Sequence, residues 1–260
     1  MGIEVENLNF SYGQRQILFD INFSVNKGEF LSILGPNGVG KSTLFRCILG
    51  LLPGYTGNIF VDGTDRRKLS VKKSAEHIAY IPQSSTPVFN YSVFDIVLMG
   101  RTGGLSYLKS PKAEDEEKCH RALEKLGISN LETRFFNTLS GGERQLVLTA
   151  RAIAQDSPIL MLDEPTANLD FGNQIRVLQQ IRKLSREGYT VIQTTHHPEQ
   201  SFMFSDRILA LKNGRVLQDG SPETVLSSDT MSELYGIDVD VLSLYKDKAR
   251  VCIPLEIINE

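Results

Sequence analysis

The sequence predicts an α/β protein on a mainly parallel sheet, with an antiparallel β-subdomain and a helical subdomain, and three observations carry that prediction. Ile159 to Leu162 is an uninterrupted apolar run, as expected of a strand covered on both faces. Phe30 to Leu34 is a second β-like run, and a glycine-rich loop joins it to a helix-like run, Thr43 to Leu52. Beyond Ser157 strand, helix and strand patterns follow one another, as parallel α/β units require.

Taken in order, residues 1 to about 82 carry strand patterns around that glycine-rich loop. Asp20 to Asn26 alternates polar and apolar residues with period two, a half-buried antiparallel strand. Glycines and Asp62 around Ile59-Phe60-Val61 mark hairpin turns. From about Ser84 to Asp156 the pattern is helical. Ser110-Pro111 offers a cap and a first-turn proline, and Glu114 to Glu117 precede Arg121 and Lys125, the order the helix dipole favours. Gly127 closes that helix, and its acidic run reads as a solvated face. A later helix carries Ile175, Leu178, Ile181 and Leu184 on one stripe, and the strand Tyr189 to Thr195 follows. No internal repeat is visible.

Composition narrows the function classes. At 260 residues, 41% hydrophobic and 23% charged, the chain is long enough for a sizeable core and ordinary for a soluble α/β protein. No apolar run approaches the roughly 18 residues of a membrane span. No charged-apolar-small leader follows Met1, so secretion is not expected. Cys47, Cys119 and Cys252 lie far apart, which fits a reducing compartment better than a disulfide or metal framework. A net charge of −3 argues against nucleic acid as a partner.

The chemistry begins at Gly35-Pro36-Asn37-Gly38-Val39-Gly40-Lys41-Ser42, a complete G-x-x-x-x-G-K-[ST] loop between a strand and a helix. Its glycines let the backbone wrap phosphates, Lys41 brings a point charge to the terminal phosphates, and the Ser42 hydroxyl can ligate Mg²⁺. The apolar run 159–162 ends in Asp163-Glu164, and Pro165 stops the strand. Asp163 would hold Mg²⁺ through water, and Glu164 is placed to polarise an attacking water.

A second phosphate-reading helix start lies at Leu139-Ser140-Gly141-Gly142-Glu143. Ser140 and Glu143 have capping-box spacing, and the two glycines bare the first turn of the run Arg144 to Ala154. One chain with two such starts raises the expectation that one serves a second copy.

In this order the motifs resemble the nucleotide-binding subunit of an ATP-binding cassette (ABC) transporter, over almost the whole chain. Four further positions fit that family's pattern: Tyr12 as the aromatic that stacks on adenine, Gln83 as the glutamine that senses Mg²⁺ and the membrane partner, Asn168-Leu169-Asp170 as the loop that crosses to the other subunit, and His196 as the switch histidine. Each also has a plainer reading from the residues themselves. Tyr12 reads as an edge-strand aromatic, Gln83 as a polar loop residue, Asp170 as a helix cap and His196 as a satisfied strand terminus. His197 has no assigned role, and His77 and His120 read as structural or solvated.

The resemblance implies an ABC ATPase fold over 1–260: a core of 1–83 and 157–220, a helical subdomain of 84–156 and a short C-terminal tail of 221–260. It implies ATP bound by Tyr12 and Gly35 to Thr43, with catalysis by Glu164, His196, Gln83 and Lys41. Mg²⁺ is expected at Ser42, Gln83 and Asp163, the last through water. Ser140, Gly141, Gly142, Glu143 and Asp170 would reach ATP held by a second copy in a head-to-tail homodimer. Transmembrane permease subunits are the implied partners, with a periplasmic or surface substrate-binding protein acting indirectly. The implied location is peripheral, on the cytoplasmic face of the cell membrane.

The stretches Tyr91 to Arg101 and Leu169 to Gln174 are similar to ATPases of the importer class that handles metal chelates, namely iron complexes, haem, cobalamin and molybdate. The alternative is a soluble or exporter-type ABC ATPase. Val88, Phe89, Tyr91 and Phe94 are candidates for a groove receiving a permease helix, although Phe94 and Val97 at helical spacing also suit simple packing.

Overall fold

The structure is a computed structural model that describes residues 2–83, 89–104 and 111–257. β1 (Ile3–Tyr12), β2 (Arg15–Val25) and β3 (Phe30–Leu34) precede α1 (Lys41–Ile48). Next come β4 (Thr56–Val61), β5 (Thr64–Asp65), α2 (Val71–His77) and β6 (Ile78–Ile81). Three helices follow, α3 (Val93–Leu98), α4 (Ala113–Lys125) and α5 (Gly141–Ala154). The chain then forms β7 (Ile159–Asp163), α6 (Phe171–Arg186), β8 (Thr190–Thr195), α7 (Pro198–Phe204), β9 (Arg207–Lys212) and β10 (Arg215–Gly220). It ends with α8 (Pro222–Val225), α9 (Ser228–Tyr235), β11 (Val239–Leu244) and β12 (Ala249–Pro254).

The central sheet has the order β10-β9-β3-β8-β7-β6. Its inner pairings are parallel, and only β10 joins antiparallel. A second sheet, β2-β1-β4-β5, is antiparallel throughout. The apolar run in β7 lacks alternation because both of its faces are covered. Leu160 and Leu162 pack with α3 to α6, while Ile159 and Met161 pack with α1 and the antiparallel sheet. In β2 the expected alternation appears: Ile21, Phe23 and Val25 are buried and Asn22 is exposed. The hairpin turn at Asp62 joins β4 to β5.

Two expectations are corrected. The helix after the glycine-rich loop runs Lys41–Ile48, not Thr43 to Leu52, because Arg66 donates to the carbonyls of Ile48 and Leu49 and closes its end. Pro111 lies before α4 rather than in its first turn; the Asp115 carboxylate accepts from the Lys112 N–H and caps it, and Ser110 lies outside the described residues. Within the short C-terminal tail, Val225, Leu226, Met231, Leu234 and Val239 are buried against Leu34, Phe202 and β9.

Candidate functional site

Strand β3 ends at Leu34, and the glycine-rich loop carries the chain from that edge into α1. Gly40 is the N-cap of α1 at φ 111, and no side chain caps the helix. A Cβ at Gly40 would approach Leu18 Cδ2 to 2.9 Å, so only glycine suits both its backbone and its neighbour. The first N–H groups of α1 are thereby left to an anion. Lys41 is buried; its Nζ donates to the Gly35 and Pro36 carbonyls at 2.7 and 3.0 Å and lies 3.4 Å from Glu164 Oε1. Burial pushes its pKa below the ordinary lysine value, and the Glu164 carboxylate partly opposes this.

The two acids at the end of β7 are pinned by one hydroxyl. Thr194 Oγ1 donates to Asp163 Oδ1 at 2.6 Å and accepts from the Glu164 N–H at 3.0 Å. Asp163 also accepts from Ser42 Oγ at 3.3 Å and from the Tyr80 hydroxyl at 3.4 Å. Burial, with the Asp163 charge, pushes the Tyr80 phenol up to about 12, so it stays a protonated donor. Glu164 takes φ 46, a left-handed conformation uncommon for a residue with a Cβ. That turn aims its carboxylate at three groups. Besides Lys41, Gln83 Nε2 donates to Oε2 at 3.3 Å, and His196 Nδ1 lies 3.5 Å from the same oxygen. The His196 contact is in ion-pair range without hydrogen-bond geometry, and Nδ1 is buried with no hydrogen-bond partner.

Lys41, Gln83 and Glu164 border a cavity of about 520 Å³ that also takes in Tyr12, Asn37, Gly38, Ser42 and Thr43, with Asp163 and His196 bonded to or beside its wall. Tyr12 is exposed at the end of β1, edge-on to Phe10 with ring centroids 4.9 Å apart. The structure therefore brings Tyr12, the glycine-rich loop, Gln83, Asp163, Glu164 and His196 into one region.

Ser140, Gly141, Gly142, Glu143 and Asp170 do not line that cavity. Ser140 Oγ accepts from the Glu143 N–H, and the Glu143 carboxylate accepts from the Ser140 N–H at 2.8 Å, closing the capping box. Asp170 caps α6, accepting from the Asn173 N–H at 2.9 Å. These groups gather with one another: a Cβ at Gly141 would meet Leu169, and one at Gly142 would meet Asn173.

Sequence reasoning missed Thr194 and Tyr80, whose roles arise from strand register, since Asp163 pairs with Thr194 across β7 and β8. It also missed a polar relay from the loop before α6 to α7. Thr166 Oγ1 donates to Gln200 Oε1 at 3.2 Å, and Gln200 Nε2 donates to Gln174 Oε1 at 2.7 Å. His77 pairs with Asp62, and His120 with Glu132, in keeping with structural or solvated roles. Of the groove candidates, Val88 lies outside the described residues, Phe89 is exposed, and Tyr91 and Phe94 pack on the helical core.

Known proteins resemble this chain over most of its length. Residues 18–167 fit the family model described as ABC transporter. The iron(3+)-hydroxamate import ATP-binding protein of Bacillus subtilis is 32% identical over 99% of this chain and 96% of its own. The hemin import ATP-binding protein of Nocardia farcinica is 35% identical over 98% of this chain and 88% of its own. A solved structure of a metal-chelate type ABC transporter, in an inward-facing conformation, superposes with a TM-score of 0.86 at 35% identity and 97% coverage of both chains.

Proposed function

This chain belongs to the ABC transporter family as an ATP-binding subunit with ATPase activity, and from that premise we propose that it energises a separate membrane permease importing a metal chelate. The observation that carries the site assignment is Glu164, held among Lys41, Gln83 and His196 at the glycine-rich loop. The import assignment rests on the relatives named for iron-hydroxamate and haem import. The whole chain, 1–260, is one such ATPase unit in this reading.

ATP stacks its adenine on Tyr12 and lays its phosphates along Gly35 to Thr43. Ser42 Oγ is a hard oxygen donor that fits Mg²⁺, with Gln83 as a further oxygen and the Asp163 carboxylate, 3.3 Å from Ser42 Oγ, holding it through water. Bound there, Mg²⁺ offsets the charge of the β- and γ-phosphates. Lys41 leaves Glu164 for the γ-phosphate, since a multiply charged phosphate outcompetes a single carboxylate. Glu164, so released, takes a proton from the attacking water. His196 Nδ1, buried and without a hydrogen bond, is placed to bond the same phosphate.

Ser140 to Glu143 and Asp170 complete the site from a second copy, arranged head to tail, and hydrolysis loosens that pair by removing the phosphate both copies hold. The subunit works at the cytoplasmic face of the membrane, with a substrate-binding protein delivering the chelate to the permease. No helix among the described residues is long and apolar enough to cross a membrane, so in this reading the permease supplies the spans.

Glu164→Gln tests the scheme. Turnover should fall by about 10²- to 10⁴-fold, the range of a lost general base, while ATP drives a stable dimer seen by size-exclusion chromatography. A monomer under saturating ATP would overturn the dimer. Reconstituted with its permease, the wild type should hydrolyse ATP faster when a chelate-loaded binding protein is added, and no stimulation would overturn the import assignment.

A further inference from the structure

The folded C-terminal segment touches the loop that carries His196. The Tyr235 hydroxyl, at the end of α9, donates to the His196 carbonyl at 3.2 Å, across 39 residues of sequence. The neighbouring carbonyl, His197 O, is already used inside α7, where it accepts from the Ser201 N–H and Oγ. His196 O therefore takes its donor from another element.

Two more contacts hold α7 from the same side. The Cys252 N–H donates to Glu199 Oε1 at 3.3 Å, and the Arg250 guanidinium lies over the Phe202 ring, 5.1 Å from its centroid. Arg250 is itself fixed by Asp247 and by the Glu223 and Leu226 carbonyls. The same segment buries Leu34, the residue before Gly35. Burial, with the nearby Cys252 and Glu199, pushes the Tyr235 phenol well above its ordinary range, so it remains a protonated donor.

These contacts matter because the His196 ring is placed by non-bonded contacts, Glu164 Oε2 at 3.5 Å and the His197 ring with centroids 4.2 Å apart, and has no hydrogen bond at Nδ1. Its stand beside Glu164 then depends on its backbone. We propose that Tyr235 is a positioning residue for ATP hydrolysis: its hydroxyl fixes the His196 main chain, and through it the C-terminal helix and hairpin set where the imidazole stands relative to Glu164. The proposal rests on the reading of His196 as a residue of the hydrolytic site.

Steady-state ATPase assays on the full chain separate the two. His196→Ala tests the underlying reading, and an unchanged turnover there would overturn that reading and the proposal with it. Tyr235→Phe keeps the ring and removes only the hydroxyl. Its kcat should fall about tenfold, the worth of one well-placed hydrogen bond, with KM for ATP within about twofold of wild type. Added to His196→Ala, Tyr235→Phe should cause no further loss, because its effect runs through that ring. A merely structural role would instead slow the double variant further or raise KM with kcat intact. Either result, or a wild-type kcat in Tyr235→Phe with His196→Ala impaired, overturns the proposal alone. Should Tyr235→Phe fold poorly, Glu199→Ala removes the second contact on α7 and should show the same kcat-only loss and the same lack of additivity.

Discussion

The glycine-rich loop before α1 and the start of α5 are both glycine-bearing helix starts, yet they are built oppositely. At α1 no side chain caps the helix, Gly40 strips the N-cap bare, and a buried lysine stands beside the open N–H groups. At α5 the chain caps itself through Ser140 and Glu143, the stretch Leu139 to Ala154 contains no lysine, and Leu169 and Asn173 crowd the two glycines. The first start is unfinished without an anion. The second is capped by its own side chains, with Gly141 exposed and Gly142 buried against Asn173. A motif's chemistry is thus set by what else the fold places at the helix end, not by the glycines alone.

The sharpest way to break this contrast is to add the same methyl group to each start. Gly40→Ala forces a side chain into φ 111 and against Leu18, and should cost about 10- to 100-fold in ATP affinity of the isolated subunit, measured by calorimetry. Gly142→Ala brings its Cβ to 2.8 Å from Asn173 and should leave that affinity within about twofold. Its loss should appear in turnover and in ATP-driven dimerisation, by about tenfold. Equal losses of ATP affinity in the two variants would remove the distinction between an open and a self-capped start.

The same contrast explains what was legible in the sequence. Gly35 to Ser42, Ser140 to Glu143 and Asp163-Glu164 are contiguous stretches whose chemistry follows from spacing, and the structure has them at the helix and strand ends expected. Thr194 was hidden because its work depends on lying opposite Asp163 in a parallel register, which a single strand pattern does not contain. Gln174 and Gln200 were hidden for a similar reason, since they meet only when α6 and α7 pack. The folded C-terminal segment did leave a signal. Val239 and Val241 alternate with Asp238 and Asp240, as a half-buried strand would, whereas Val251-Cys252-Ile253 is a short apolar run whose Cys252 faces the core opposite Val241. Its two short strands lack the glycine-rich turn that usually announces one: residues Tyr245, Lys246 and Asp247 turn the chain at positive φ without glycine.

A smaller effect tests the self-capping directly. Ser140→Ala removes the acceptor for the Glu143 N–H and should lower unfolding free energy by about 1 kcal/mol, a typical N-cap loss. For a chain of this size that is a melting shift of about 2 to 4 °C. No equivalent substitution exists at α1, whose cap offers no side chain. A Ser140→Ala protein with unchanged denaturant midpoint would mean that the box contributes nothing and that the two starts are alike in stability.

The subtlest difference is in pH. Glu143 has its pKa held below the ordinary 4.5, first by the Ser140 N–H, then by the Ser140 side chain, with Arg134 adding a weaker pull. A carboxylate whose pKa is lower in the folded chain contributes stability that is fully present above the unfolded value and is lost as pH falls through the folded one. The start of α5 should therefore loosen progressively in acid below about pH 4.5, whereas the Gly40 cap has no group to titrate there. Glu143→Gln keeps an oxygen for the Ser140 N–H but cannot titrate. The difference in melting temperature between wild type and Glu143→Gln should hold steady down to about pH 5 and shrink towards about pH 3. Parallel melting curves over that range would show that the carboxylate's charge does nothing for the second helix start, leaving its geometry as the whole of the contrast with the first.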